Sequence, residues 1–137
     1  MQYWLVKSEP SSYSWDQMVA DGHTHWSGVR NNQAALNLKA MKRGDRAFFY
    51  HSGDERSVVG VIEIIKEAYP DPSDPAGRFV MVDVKALMPV KTPVTLTAIK
   101  AEPELRSMTL VRQSRLSVVS VAAAEWRVIA KMAGIKA

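Results

Sequence analysis

The 137-residue sequence predicts an α+β domain built on a curled, barrel-like sheet of about five or six strands with short peripheral helices. Three observations carry that expectation. Runs rich in aromatic and β-branched residues recur from one end of the chain to the other, bounded by turn residues. Two of them, residues 47–52 and 58–65, flank Gly53-Asp54-Glu55 and are nearly continuous in apolar side chains, as in a hairpin covered on both faces. Between the runs lie only short segments of helical period.

Taken in order, Tyr3-Trp4-Leu5-Val6-Lys7 reads as a short buried strand that runs into Ser8-Glu9-Pro10, where proline ends the ladder. Ser14-Trp15-Asp16-Gln17 fits a capping box and starts a helix reaching about Ala20, broken by Asp21-Gly22. His23-Thr24-His25 then leads into a loop around Trp26. From Asn31 or Asn32 the pattern turns helical, with Ala34, Leu38 and Met41 on one stripe and Lys39 and Lys42 off it, until Arg43-Gly44-Asp45 stops it. The hairpin follows. Three prolines among residues 69–77 predict an irregular surface loop, and residues 79–87 a further strand. After Pro89 and Pro93, Thr95 caps a helical turn through Lys100; residues 105–115 have no dominant period. Residues 116–121 read as the last strand. The final helix aligns Ala122, Trp126, Ile129, Ala130 and Ala133, and Gly134 takes the left-handed position after it.

Bulk properties narrow the function. A hydrophobic fraction of 47% and a charged fraction of 23% are those of a globular chain, here a single domain over residues 1–137. No apolar run approaches the ~20 residues of a membrane span, and the first residues lack the basic-then-apolar order of a secretion signal. A cytoplasmic monomer is expected. The absence of cysteine excludes disulfides, thiolate nucleophiles and thiolate metal sites. Residues 1–99 carry 11 Lys/Arg and 11 Asp/Glu, whereas residues 100–137 carry 7 against 3. The whole excess of +4 therefore lies in the last third, which suits a polyanionic partner as well as it suits a solvated face.

The candidate site is Trp26-Ser27-Gly28-Val29-Arg30-Asn31-Asn32-Gln33-Ala34. It sets one large aromatic, a glycine and a run of amides directly before a helix. Such a loop offers an apolar wall and polar groups able to read the edge of a ring. Trp26 is the candidate stacking wall or else a core filler, and Asn31 a base-pairing amide or else the helix N-cap. Ser27, Val29 and Gln33 belong to the same rim. Ser8 and Glu9, at the end of the first strand, point toward the same mouth, unless Ser8 only closes a turn. Tyr50 and His51 alternate along their strand, so one of them faces the mouth; His51 with Ser52 is the preferred rim. Ser117 and Arg115 sit on the last strand. Arg30, Lys39, Lys42, Arg43, Arg112 and Arg115 are candidates for tracking a phosphate backbone. Nothing supplies a nucleophile, and His23-x-His25 lacks a third metal ligand, so neither catalysis nor a metal or cofactor is expected.

Tyr3-Trp4-Leu5-Val6-Lys7-Ser8-Glu9-Pro10, the Trp26–Ala34 stretch, Phe49-Tyr50-His51-Ser52, Tyr69-Pro70-Asp71-Pro72 and Arg115-Leu116-Ser117-Val118 follow the order of motifs in EVE-domain proteins, and the sequence resembles that family over nearly its whole length. The resemblance implies a PUA-like barrel related to PUA and YTH domains. It further implies a reader of modified bases, chiefly modified cytosines, in DNA more than RNA. By analogy with YTH cages it makes Tyr69 a second aromatic wall. Asn32 stands where the family often has an aromatic, and Ser120 where it often has proline. The alternatives are a binder of a free nucleoside or other planar ligand, and a nucleic-acid hydrolase.

Overall fold

The computed structural model describes residues 1–137. Strand β1 (Tyr3–Ser8) lies one place in from an edge of the sheet, and its Trp4, Leu5 and Val6 are all buried. Parallel to it on one side lies β3 (Arg46–His51), and antiparallel on the other lies β6 (Val118–Val121). Both faces of β3 are covered, which is why its sequence does not alternate. Strand β3 pairs antiparallel with β4 (Ser57–Pro70), the hairpin read from the sequence; β4 pairs in turn with β5 (Val80–Thr95), and β2 (His23–Trp26) adds to the outer edge of β5. One six-stranded mixed sheet results, in the order β2-β5-β4-β3-β1-β6.

Register shifts interrupt the β4–β5 ladder at four places. Each such irregularity bends its strand and increases local twist, so the sheet curls. Helix α2 (Asn32–Ala40) packs against β4, β5 and β6 together, and so bridges the two halves of the curl. Around this frame lie α1 (Trp15–Asp21), α3 (Leu96–Ala101), α4 (Thr109–Arg112) and α5 (Ala123–Ala133).

Local chemistry sets the helix ends where the sequence places them. Ser14 Oγ accepts from the Gln17 N–H at 3.1 Å, Asn31 Oδ1 from Ala34 at 2.9 Å and Thr95 Oγ1 from Ala98 at 3.1 Å. Gly134, with φ 73°, ends α5. Elsewhere the structure differs from the expectation. Residues 23–26 are an edge strand, not a loop approach, because β5 offers them an open ladder. Tyr69 and Pro70 belong to β4, pairing with Met81 and Val80, so the irregular loop starts at Asp71. The strand expected at 79–87 continues to Thr95; Pro89 lies opposite Gly60 between two register shifts, where a missing N–H is tolerated. The unpatterned region holds α4, and a 3₁₀ turn, Pro103–Leu105, leads into it.

Buried Asp45 ties the turn before β3 to β1. Its carboxylate accepts from the Gln2 N–H, the Trp4 indole N–H and the Lys42 N–H, at 3.1, 3.1 and 2.9 Å. Gly60 has a different role: a Cβ there would lie 2.5 Å from the Trp15 ring, so glycine lets the indole lie on β4.

Candidate nucleic-acid interface

The largest hollow, about 630 Å³, opens where the end of β1, strand β2 and the loop after it converge. Trp26 closes β2 and is 9% exposed. Its indole meets Phe49 at 5.6 Å and 86° and Tyr13 at 6.5 Å and 79°. Both contacts are edge-to-face, and no ring lies parallel to the indole. The side chain is thus gripped by the core while still bordering the hollow.

The loop behind it hangs on one carboxylate. Asp71 is 1% exposed; its Oδ2 accepts from the Gly28 N–H at 2.8 Å and from Arg30 Nη1 at 3.3 Å. Its Oδ1 accepts from the Ser73 N–H at 2.8 Å and Ser73 Oγ at 2.6 Å. Burial pushes this carboxyl up, but the hydrogen bonds from Ser73, Gly28 and Arg30 outweigh it and hold it at about 2. Gly28 takes φ 79°, the left-handed turn that aims its N–H inward. Arg30 also donates to Ser73 Oγ at 2.8 Å and lies 5.4 Å from the Phe79 ring centroid. It braces the loop, with part of its guanidinium still at the rim.

Of the residues singled out from sequence, Ser8, Glu9, Trp26, Ser27, Val29, Arg30, Asn31 and Ser117 line this hollow. Two of them have internal roles as well: Ser8 Oγ donates to the Tyr13 carbonyl, and Asn31 caps α2. Others lie elsewhere. His51 is buried, its Nε2 accepting from the Trp15 N–H at 2.9 Å, and its Nδ1 lies 3.1 Å from Glu55; it holds α1 and is no rim contact. Tyr50 and Ser52 line a neighbouring hollow. Gln33 borders a shallow depression with Arg112 and Arg115. Lys39, Lys42 and Arg43 are exposed but border none of these hollows. Tyr69 is not a wall: its hydroxyl donates to Asp83 and lies 3.0 Å from His25 Nδ1, and Lys66 covers its ring at 4.1 Å. Burial and Asp83 together push the Tyr69 phenol up to about 12.

Sequence reasoning missed Lys7, Tyr13, Thr24 and His25 as lining residues; Gly28, part of the candidate stretch, lines the hollow too. His25 is placed by Asp83, 2.8 Å from its Nδ1. Tyr13 is placed by Asp21, which accepts from its hydroxyl at 2.7 Å. Burial, followed by that hydrogen bond, pushes the Tyr13 phenol up to about 12, so it stays a neutral donor. A strand reading of residues 23–26 would have brought Thr24 and His25 to the mouth; nothing local marks Lys7 or Tyr13.

A curled mixed sheet with short peripheral helices, opening on an indole-bordered hollow, is a PUA/YTH-like architecture. A solved YTH domain, from the Zygosaccharomyces rouxii MRB1 protein, superimposes with a TM-score of 0.63 at 18% identity, covering 96% of this chain and 86% of that one, a likeness of fold alone. The chain belongs to the EVE domain family, which matches residues 2–132. Thymocyte nuclear protein 1 of Rattus norvegicus is 37% identical over 150 aligned positions, covering 85% of this chain and 66% of its own length. A Rhodopseudomonas palustris protein of solved structure is 59% identical with a TM-score of 0.93, covering 98% of this chain and 94% of that one. Human THYN1 protein, solved in complex with 5-methylcytosine containing DNA, is 30% identical with a TM-score of 0.92, and the alignment covers 100% of both chains.

Proposed function

We propose that this chain is a non-catalytic nucleic-acid-binding module that takes one modified base, a modified cytosine of DNA, into the hollow bordered by Trp26. The observation that carries the reading is an indole with no parallel aromatic partner bordering an open hollow of about 630 Å³. That volume falls within the range of small-molecule sites. The human relative's complex with 5-methylcytosine containing DNA supports both the base and the carrier.

The energetics are consistent with preference more than absolute selection. A base must leave its stack at a cost of a few kcal/mol, unless the strand is already single. Stacking on an aromatic returns about 1–3 kcal/mol. Edge contacts from Ser8, Thr24, Asn31 and Ser117, and phosphate contacts from the basic surface, supply the remainder. A fitted methyl group discriminates by about 1–3 kcal/mol, roughly 10- to 200-fold.

The test is a titration of matched oligonucleotides carrying 5-methylcytosine or cytosine, with wild type and Trp26→Leu. Wild type is expected to favour the modified strand by at least about tenfold, and the variant to lose most of that ratio with its far-ultraviolet spectrum and cooperative unfolding intact. Equal binding of both strands by wild type would overturn the reading.

A further inference from the structure

A second hollow, of about 380 Å³, adjoins the first and shares Lys7 with it. Three of its nine lining residues are cations (Lys7, Arg56 and Lys100), three carry hydroxyls (Tyr50, Ser52 and Ser114), and none is acidic. The ion pairs of the molecule engage His25, Arg30, His51 and Lys85, so none of these three cations has a carboxylate partner. Glu9 lies against Gly53, and Asp54 and Glu55 share a separate hollow with Arg56 and Lys100. Carboxylates therefore stand near the basic hollow without lining it.

Two of the cations are held in place. Lys7 Nζ donates to the Ser114 carbonyl at 2.8 Å and sits 5.9 Å from the Tyr50 ring centroid. Burial lowers its pKa, an unfavourable state for an ammonium that an anion nearby would relieve. Arg56 is the one non-glycine residue in the left-handed region, at φ 45°. A side chain held there is a local strain, of the kind that collects at binding sites. Its carbonyl accepts from Leu96 at 2.8 Å and its Nε donates to the Gly53 carbonyl at 3.1 Å. The guanidinium is thereby anchored at its base, with both terminal nitrogens free of protein partners. A planar fork with an ammonium beside it matches a tetrahedral oxyanion.

We propose that this hollow is a phosphate site for the nucleic-acid strand whose base occupies the Trp26 hollow, with Arg56 and Lys100 as the contacting cations and Lys7 between the two sites. The proposal rests on the base-reading function proposed above. The Ser52 N–H, which donates to the Ser8 carbonyl at 2.9 Å, joins the two walls, so base and phosphate would be received by one rigid surface.

The experiment uses the full chain, wild type and the double variant Arg56→Gln/Lys100→Gln. Each is titrated with the 5-methylcytosine oligonucleotide, its unmodified match and free 5-methyl-2′-deoxycytidine over a range of salt. The double variant is expected to bind both oligonucleotides about tenfold more weakly, with a salt slope shallower by about one. The ratio between the oligonucleotides, and the binding of the nucleoside, should not change. Lys100→Glu, on an exposed position of α3, is a second variant with the same expected direction. Unchanged oligonucleotide affinity and slope in both variants would overturn the phosphate site while leaving base reading intact. Weaker binding and a shallower slope, with no preference for the modified strand even in wild type, would retain the phosphate site and remove base reading.

Discussion

Phe48 and Phe49 are neighbours on β3, and each belongs to a different aromatic cluster. Phe48 stacks on Trp126 at 3.8 Å and 17°, and Tyr3 stacks on the same indole at 4.5 Å and 24°. Trp126 is fully buried, with its N–H donating to the Ala137 carbonyl at 3.0 Å. Phe49 meets Trp15, Trp26, Tyr13 and His51 at angles of 63°, 86°, 46° and 75°, with no parallel pair among them. Trp126 is enclosed inside the protein with two near-parallel rings stacked on it, whereas Trp26 has no parallel aromatic partner, meets its aromatic neighbours at steep angles and borders the hollow. The first cluster is closed within the core, whereas the second reaches the wall of the hollow.

Perturbing each side separately sharpens the contrast. Trp126→Ala should have the largest effect, a loss of about 3–5 kcal/mol in denaturant unfolding, with the ratio of modified to unmodified strand unchanged in the folded fraction. Asp71→Asn should cost about 1.5–3 kcal/mol and act on the other side. Amide exchange of Gly28 should accelerate in it, while the amides around Trp126 keep their protection relative to global stability. Gly60→Ala forces a methyl into the Trp15 ring and should cost about 1–3 kcal/mol, a test of how rigidly that indole sits. The smallest effect is in acid. Asp71 titrates at about 2 folded against 3.8 unperturbed, so its contribution is complete above pH 4 and disappears as pH falls through 2. Wild type should lose part of its advantage over Asp71→Asn across that window; an unchanged difference would contradict the carboxylate's role.

How far the site was legible follows the range of the interactions that build it. Trp26, Ser8 and Ser117 stand out because a resemblance of ordered motifs marks them. The loop's anchor does not: Asp71 reads as one more acid in a proline-rich turn, and only the return of the chain sets it 43 positions along from the Gly28 N–H it accepts. His51 looked like a rim residue because alternation puts a strand-end histidine at an opening. In the fold, α1 covers that end and takes the imidazole 36 positions back as an acceptor for Trp15. Tyr69 was expected as a wall, but β4 extends through it and turns its hydroxyl to Asp83.

The sequence alone determined what depends on residues within about four positions of one another: the capping side chains Ser14, Asn31 and Thr95, the stripe of α5, the glycine that ends it and the apolar runs of the central strands. Tertiary structure decided the edge strand β2, the basic hollow around Arg56, and which tryptophan borders a hollow and which is enclosed. These rest on pairings between distant segments. Backbone donors and buried charges must find partners somewhere, but local pattern does not say where the partner will come from.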